Sequence, residues 1–292
     1  MMQLPYVTCD VFTDRAFGGN QLAVVYDADG LSGEQMQRIA AEFNYSETTF
    51  VRSPKNPTHT AEVRIFTPAE ELPFAGHPNV GTAVALAHLG KISAGDDIIF
   101  EEKAGLVPIE LAGPGSARLT APLTPELVRE VDKSALENLL NLPENSIVTT
   151  YHQPVEINVG AHFILMEVDS LEHLAKAQSP SLQAAREVGD FEFYLYTRDG
   201  SDADFQARMF APGLGIVEDP ATGGAATALV GLLSSFEAED GHFSWVLHQG
   251  MEMGRPSKIL IDLWRKNNDI EKITIGGEAV MMMKGTLAWS SN

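Results

Sequence analysis

Two segments about 140 residues apart share an unusual composition, and they constrain the fold more than any other feature of the chain. Residues 76–83 read GHPNVGTA, and residues 219–225 read DPATGGA. In each, a polar residue that can cap a helix precedes a proline, which suits the first helical position. Glycines and free N–H groups at a helix start let an anion approach the backbone closely. The repetition therefore predicts a duplicated fold that holds an anionic ligand between its halves.

Both segments open helices that we predict to be fully enclosed. Residues 78–89 and 220–236 carry small or apolar side chains on most faces, and a helix that is apolar all round is buried all round. Short apolar runs typical of strands surround each helix. We therefore predict an α+β fold of two pseudo-symmetric domains, each a barrel-like, mostly antiparallel sheet wrapped around a central helix. The alternative is an ordinary α+β domain with its sheet on one side only.

The remaining signals place further helices and a linker. Residues 32–44 have the apolar spacing of an amphipathic helix, and Ser32 with Gln35 forms the sequence pattern of a capping box. The proline- and glycine-rich residues 112–125 are the predicted linker. Other helices are predicted over residues 125–140 and 171–177.

Charge and composition restrict the partners. The chain has 292 residues and a formal net charge of −20. An acidic surface repels phosphate backbones and anionic lipids, so we expect no nucleic-acid or membrane partner. The first residues lack a basic segment followed by an apolar run, and the longest apolar stretch is too short to span a bilayer. We therefore expect a cytoplasmic protein.

Glu47 is a candidate for proton transfer. It lies in the segment NYSETTF, between the helix predicted over residues 32–44 and a strand. Tyr45 and Phe50 would partly remove water from its carboxyl group, which favours acid–base chemistry. The alternative is an ordinary solvated glutamate in a loop.

His77 and Asp219 each have two interpretations. His77 caps its helix, or it binds a substrate group and moves a proton. Asp219 caps the second helix, or it binds a substrate amine and positions the base. In the second case Thr222, Gly223 and Gly224 would present N–H groups to a carboxylate. The histidines show no metal-ligand spacing, so we expect no metal site.

These segments together resemble the phenazine-biosynthesis isomerase family (PhzF-like), a branch of the diaminopimelate epimerase-like fold. They occur in the order of the family, and the strand pattern extends the resemblance over essentially the whole chain. The matching segments are DVF at 10–12, FGGN at 17–20, NYSETTF at 44–50, RIFTP at 64–68, ELPFAGHP at 71–78 and EDPATG at 218–223.

The resemblance implies two barrel domains with the site in the cleft, and a last strand that returns to the first domain. We place the first domain at residues 1–116 plus 279–292 and the second at 117–278. The resemblance implies a homodimer that needs no cofactor or metal. It also implies that Glu47 is the acid/base, with His77 and Asp219 as its partners. The residues expected to bind a small carboxylate substrate are Gly76, Thr222, Gly223 and Gly224.

Cysteine content separates two chemistries within this fold. Diaminopimelate epimerases use two thiols, whereas Cys9 is the only cysteine of this chain and lies in neither helix-start segment. Two-thiol racemisation is therefore excluded, and so is an intrachain disulfide. A single carboxylate can instead remove a proton from one carbon and return it to another. We expect Cys9 to be a buried and inert thiol.

One position departs from the family pattern. The second motif of the family usually has serine after Thr-Gly, and this chain has Gly224. The change removes a hydroxyl group that could bind a substrate carboxylate. The leading hypothesis is a cofactor-independent isomerase acting on a small carboxylate, such as a cyclic amino acid. A ligand-binding or regulatory protein of the same fold is the second hypothesis, and an enzyme with another chemistry is the third.

Overall fold

The computed structural model describes residues 2–113, 115–189, 191–200 and 202–289. Contacts divide the chain into two compact units. The first contains the described residues up to Pro122 together with those from Gly276 onward. The second spans Leu123–Ile275.

The first unit is a sheet that closes on itself. The strands are β1 (Met2–Val11), β2 (Asn20–Val25), β3 (Glu47–Arg52), β4 (Ala61–Phe66), β5 (Glu71–Leu72), β6 (Ile98–Glu102), β7 (Gly105–Gly113), β8 (Ser116–Thr120) and β18 (Asp269–Trp289), the last of which begins in the second unit. Hydrogen-bonded neighbours follow one another in the order β1-β2-β3-β4-β6-β7-β8-β18, and β18 returns to β1. The pairs β2–β3 and β4–β6 are parallel, whereas β1–β2, β3–β4, β6–β7, β7–β8 and β18–β1 are antiparallel.

Helix α2 (Gly76–His88) lies inside this ring. It contacts β1, β2, β3, β7 and β8, and every residue from Gly76 to Leu86 is buried. A Cβ atom at Gly81 would lie 2.6 Å from side-chain atoms of both Leu22 and Val11, so the surrounding strands leave no room for a larger residue. This close approach explains the small residues that the sequence showed.

A second helix of this unit lies outside the ring. Helix α1 (Gly33–Phe43) starts with the predicted capping box, in which Ser32 accepts a hydrogen bond from the backbone of Gln35 and the Gln35 side chain accepts one from Ser32. Its Met36 and Ala40 pack with Leu4, Phe50 and neighbouring residues in an apolar cluster of the first unit.

The second unit repeats the connectivity. Its strands pair in the order β9-β11-β12-β13-β14-β16-β17, and the parallel pairs β12–β13 and β14–β16 stand where the first unit has β2–β3 and β4–β6. The elements are β9 (Glu126–Glu130), α3 (Lys133–Leu139), β10 (Ile147–Val148), β11 (Val155–Asn158), β12 (His162–Val168), α4 (Leu171–Lys176), α5 (Leu182–Val188), β13 (Glu192–Thr197), β14 (Phe205–Ala211), β15 (Ile216–Asp219), α6 (Gly223–Ser234), β16 (Gly241–Gln249) and β17 (Ser257–Lys266).

Helix α6 is the enclosed helix of this unit. It follows β14 and β15 just as α2 follows β4 and β5, it contacts β12 and β17, and nearly all of its residues are buried. The predicted α+β fold, with a mostly antiparallel sheet around a central helix in each half, is therefore confirmed.

One prediction of local structure was wrong, and another agrees with the structure only in part. Residues 125–140 were predicted to be one helix, but β9 occupies the first part and pairs with β11, and α3 begins only after Asp132, which accepts a hydrogen bond from Ser134 N–H. Residues 112–125 were predicted to be a linker, and the boundary between the two units does fall within them, after Pro122, but they also contain β8, which pairs with β7. At residues 125–140, pairing with a strand that is remote in sequence outweighs the local composition.

Candidate active site

Glu47 and His77 meet at the end of the first enclosed helix. Glu47 is the first residue of β3 and lies in parallel register with Leu22 of β2, while His77 is the second residue of α2. Nε2 of His77 lies 3.2 Å from Oε2 of Glu47, and Nδ1 lies 3.3 Å from Nδ2 of Asn20. The side chains of Glu47, His77 and Asn20 are all buried. Gly76, the first residue of α2, directly precedes His77 and is also buried.

The imidazole of His77 is neutral in this environment. Burial lowers the pKa of His77 to about 3, and a hydrogen bond to the backbone of Gln21 opposes this shift only in part. The contact with Glu47 is therefore one between a carboxyl group and a neutral ring, not an ion pair. A neutral imidazole has one N–H donor and one acceptor nitrogen, so it can orient a carboxyl group without competing for its proton.

Asp219, Thr222 and Gln249 form a hydrogen-bonded turn in the second unit. The Thr222 hydroxyl donates to Oδ2 of Asp219 at 2.6 Å. The Nε2 amide of Gln249 donates to the Asp219 carbonyl at 2.8 Å and to the Thr222 hydroxyl at 2.9 Å, and its Oε1 accepts from Thr222 N–H at 3.2 Å. Tyr194 donates its hydroxyl to the same Oε1 at 3.3 Å. The turn therefore fixes the Asp219 carboxyl group directly before α6.

The glycine that follows Gln249 makes this turn sterically feasible. Gly250 has a φ of +74°, and a Cβ atom there would lie 2.7 Å from the Pro220 carbonyl oxygen and 2.5 Å from that of Arg255. Only a residue without a side chain lets the end of β16 approach Pro220 so closely.

The two helix starts differ from the sequence prediction in one respect. Neither His77 nor Asp219 caps its helix: the N-caps are Ala75 and Thr222, and neither makes a side-chain capping bond. The helix of His77 begins at Gly76, before the proline, so the histidine side chain lies within the first turn. Asp219 ends β15 and accepts a hydrogen bond from the Thr222 side chain.

Gly223 and Gly224 are the first two residues of α6. A Cβ atom at Gly224 would lie 3.4 Å from ring atoms of Phe163 in β12, which is van der Waals contact without a clash. The structure therefore has room for a small side chain at this position. Of the predicted site residues, Glu47, His77 and Gly76 belong to the first unit, and Asp219, Thr222, Gly223 and Gly224 belong to the second.

A buried acid, Glu102, lies beside the first turn of α2. Both of its carboxyl oxygens, and Oδ1 of Asn79, are buried without a hydrogen bond to any described residue, while Nδ2 of Asn79 donates to the Ala75 carbonyl. Burial raises the pKa of Glu102 to about 8, and the nearby Asn79 side chain offsets this shift only in part. A protonated Glu102 can donate to Oδ1 of Asn79, which removes two unsatisfied groups at once.

We expect Glu102→Gln to change how stability depends on pH. The unfolded state ionises Glu102 near its ordinary pKa of 4.5, whereas the folded state holds the proton up to about 8. Between these values the folded state binds more protons, so the free energy of unfolding of the native protein falls as pH rises. The amide variant lacks this loss, so its stability relative to the native protein should increase by about 3–4 kcal/mol from pH 5 to pH 8. Urea unfolding across this pH range measures the change.

Glu101, the residue before Glu102, supplies a control in which the pH dependence of stability has the opposite sign. Backbone N–H groups of Asn56 and Lys55, followed by His59, lower the pKa of Glu101 to about 2. The contribution of Glu101 is therefore present above its unfolded pKa and is lost as pH falls toward 2. Glu101→Gln should be less stable than the native protein at pH 7 and should approach it in acid. A Glu102→Gln difference that does not vary with pH would contradict the buried neutral acid.

Cys9 is buried against α2. Its thiol lies 3.9 Å from the Gly81 carbonyl, and burial, followed by the charge of Asp10, raises the pKa of Cys9 far above its usual range. A thiol that stays protonated is neither a nucleophile nor a base.

Within the described residues, no group of three or more His, Cys, Asp or Glu side chains is placed to hold a metal ion. No helix in this part of the chain is long and apolar enough to cross a bilayer.

Several polar residues close to the starts of α2 and α6 were missed by the sequence analysis. Asn20 entered only as the last residue of the FGGN segment and had no assigned role. Gln249, Tyr194 and Glu102 lie in strands and are joined to the helix starts only by the folded sheet. The only local signal for Gln249 is a polar residue before a glycine at the end of an apolar strand.

Comparison with known proteins identifies the family. The model of the PhzC-PhzF family, described as phenazine biosynthesis-like protein, matches residues 9–285. The chain is 38% identical over 295 residues to "uncharacterized isomerase mll1393" of Mesorhizobium japonicum, with 97% of this chain and 98% of the relative covered. It is 34% identical over 290 residues to trans-2,3-dihydro-3-hydroxyanthranilate isomerase of Pseudomonas chlororaphis, with 97% and 98% covered. The chain belongs to the PhzC-PhzF family.

A solved structure agrees with this assignment. The "predicted epimerase PA4716" of Pseudomonas aeruginosa superposes with a TM-score of 0.81 at 29% identity, covering 98% of this chain and 100% of that structure. The predicted family and the predicted enzyme class are confirmed, since the relatives are named isomerases. The homodimer and the cytoplasmic location stay predictions.

Proposed function

We propose that the protein is a cofactor-independent isomerase that moves a proton within a small carboxylate, with Glu47 as the acid/base. The observation that carries this proposal is the buried contact of 3.2 Å between Glu47 and a neutral His77. A carboxyl group that is held by a neutral ring and shielded from water is suited to take and return a proton. The relative named trans-2,3-dihydro-3-hydroxyanthranilate isomerase supports a hydrogen shift within a carboxylate ring.

The proposed reaction needs one group and conserves every atom. The Glu47 carboxylate takes a proton from one carbon, and the electron pair of that C–H bond shifts into the unsaturated system of the substrate. Glu47 then returns the proton to a second carbon on the same face. We propose that Nδ2 of Asn20 donates to Nδ1 of His77, which places the ring proton on Nε2, the nitrogen that lies 3.2 Å from Glu47. His77 is therefore proposed to orient the base.

Asp219 and the residues at the start of α6 are proposed to bind the same substrate. N–H groups of Thr222, Gly223 and Gly224 lie at the start of a helix, where a carboxylate is stabilised. The Asp219 carboxyl group, fixed by Thr222, is proposed to bind an amino group of the substrate. Gly76 at the start of α2 is proposed to admit the substrate close to the backbone.

Hydrogen exchange tests this function directly. The purified protein is incubated in D2O with trans-2,3-dihydro-3-hydroxyanthranilate and with related cyclic amino acids, and mass spectrometry follows deuterium uptake and product formation. Isomerisation or label uptake supports proton-transfer catalysis. The absence of both over the whole panel contradicts it for this substrate class.

Gly224 favours a second candidate function, a small-anion-binding or regulatory protein that keeps the fold without turnover. The resemblance puts serine at this position, and glycine removes a hydroxyl group from the start of α6. Binding of the panel compounds without any hydrogen exchange would favour this candidate over the isomerase.

Gly224→Ser is expected to tighten the binding of carboxylate ligands. The side chain fits beside Phe163, and its hydroxyl can donate one hydrogen bond to a carboxylate at the helix start. One such bond corresponds to a decrease in Kd of about 2- to 10-fold. Gly224→Ala is the matched control, because it adds the Cβ atom without the hydroxyl. Isothermal titration with the panel compounds should show the gain for serine only. Equal affinities of the two variants would show that the substrate carboxylate is not bound at this position.

A further inference from the structure

Glu192 lies on the same sheet face as Asp219. Tyr194 of β13 pairs with Met209 of β14, and Met209 pairs with Asp219 of β15. Residues paired across neighbouring strands project to the same face, and so do residues two apart on one strand. Glu192, two residues before Tyr194, therefore shares this face with Asp219.

The start of α6 covers the same face. Glu192 is in parallel register with Phe163 of β12, and the Phe163 ring lies 3.4 Å from the position of a Cβ atom at Gly224. Glu192 is thus one strand away from the contact between the sheet and the first turn of α6. None of the neighbouring residues that this register and this contact place around Glu192 carries a positive charge.

The electrostatic environment of Glu192 has a consequence for ligands. Glu192 is partly buried on β13. Burial, and after it the charge of Asp219, raises the pKa of Glu192 to about 8. Burial followed by the same charge also raises the pKa of Tyr194. Asp219 and Tyr194 are the titratable groups facing Glu192 from this sheet, and neither can supply a positive charge.

We propose that Glu192 is a specificity-determining residue that, together with Asp219, binds a protonated amino group of the substrate. This inference rests on the proposed function and narrows its substrate class to molecules that carry both a carboxylate and an ammonium group. An ammonium group supplies the hydrogen-bond donors and the positive charge that the two carboxyl groups lack. Its binding ionises Glu192, whose proton passes to solvent.

Two ring compounds that differ only in the amino group test the proposal. The probes are trans-2-aminocyclohexanecarboxylate and cyclohexanecarboxylate, titrated calorimetrically at pH 7 in phosphate and in Tris. The native protein should bind the amino acid at least about tenfold more tightly than the other acid. Because binding ionises Glu192, the observed enthalpy for the amino acid should differ between the buffers by an amount that reports released protons.

Glu192→Gln is expected to abolish the tenfold preference and the proton release, while the affinity for cyclohexanecarboxylate is kept. Glu187→Gln, at an exposed position of α5, is the matched control and should retain both signals. A purely structural role of Glu192 would instead weaken both probes equally. An unchanged preference in Glu192→Gln, or no measurable binding of the amino acid to the native protein, overturns the proposal.

The titration that tests Glu192 and the hydrogen exchange that tests the isomerase can fail independently of each other. The titration measures binding and needs no turnover. Ammonium selectivity that depends on Glu192 but comes without hydrogen exchange would refute the isomerase alone. Hydrogen exchange that depends on Glu47 but comes without ammonium selectivity would refute the role of Glu192 alone.

Discussion

Replacement of Glu47 by glutamine is expected to lower kcat by about 10³-fold with little change in ligand affinity. An amide has nearly the shape of a carboxyl group but cannot accept and return a proton. The variant should fold, because glutamine retains an oxygen at the contact with Nε2 of His77. Deuterium uptake from D2O into the ring substrate should fall by the same factor as product formation, since both require the same proton transfer.

The control for this variant comes from the neighbouring helix. Glu42 lies on α1, is exposed, and makes the same change of charge when it is replaced by glutamine. Glu42→Gln should retain the activity of the native protein within about twofold, because solvent and salt screen an exposed charge. Activity of Glu47→Gln equal to that of Glu42→Gln would exclude Glu47 as the acid/base and would mean that another group transfers the proton.

The enclosed helices could be predicted from sequence because their cause is local. Small and apolar residues all round α2 and α6 require burial on every side, and a curved sheet is the economical solution. The duplicated segments also indicated that the chain contains the same arrangement twice. Both conclusions depend on composition within one helix, which the sequence displays directly.

The cap positions could not be predicted to the residue. Proline is tolerated throughout the first turn, so its position limits a helix start only to within a few residues. In α2 the helix includes Gly76 and His77 before Pro78, and in α6 it begins after Pro220. The functional interpretation of His77 and Asp219 depends on this detail, because a residue that caps a helix cannot at the same time offer its side chain elsewhere.

The family resemblance named His77 as a partner of Glu47, but the contacts themselves could not be derived from the residues alone. Glu47 and His77 meet because β2 and β3 pair in parallel around α2, and Gln249 reaches Asp219 because β16 pairs with β14. These contacts join positions 30 residues apart in both cases. Only the register of the sheet determines which side chains become neighbours, and a shift by one residue would turn each of them to the opposite face.

Arg208→Met is expected to lower the free energy of unfolding by about 3–5 kcal/mol. Arg208 is buried on β14 and donates from Nε and Nη2 to the two carboxyl oxygens of Glu218, each at 2.8 Å. Its Nη1 donates to carbonyl oxygens at the end of α4, those of Leu174, Ala175 and Ala177. Methionine fills part of the space but leaves the partly buried Glu218 carboxylate and these carbonyl groups without donors. Urea unfolding at pH 7 measures the loss.

An exposed arginine provides the comparison. Arg38 on α1 pairs with Glu34 at the surface, and Arg38→Met should cost no more than about 0.5 kcal/mol. A loss below about 1 kcal/mol for Arg208→Met would show that the Glu218 carboxylate finds water after the change.

The double variant Arg208→Met/Glu218→Leu separates the ion pair from the carbonyl contacts. Removing both charged partners leaves no buried charge, so this variant should recover most of the stability that Arg208→Met loses. What it fails to recover is the contribution of the bonds to α4, because those carbonyl groups remain without donors. Glu218 directly precedes Asp219. The same variant therefore also tests whether the ion pair between Arg208 and Glu218 holds in place the Asp219 carboxyl group, which is proposed to bind the substrate. If it does, the recovered protein should still bind trans-2-aminocyclohexanecarboxylate more weakly than the native protein. Full recovery of both stability and affinity would show that the turn of Thr222 and Gln249 positions Asp219 without help from Arg208.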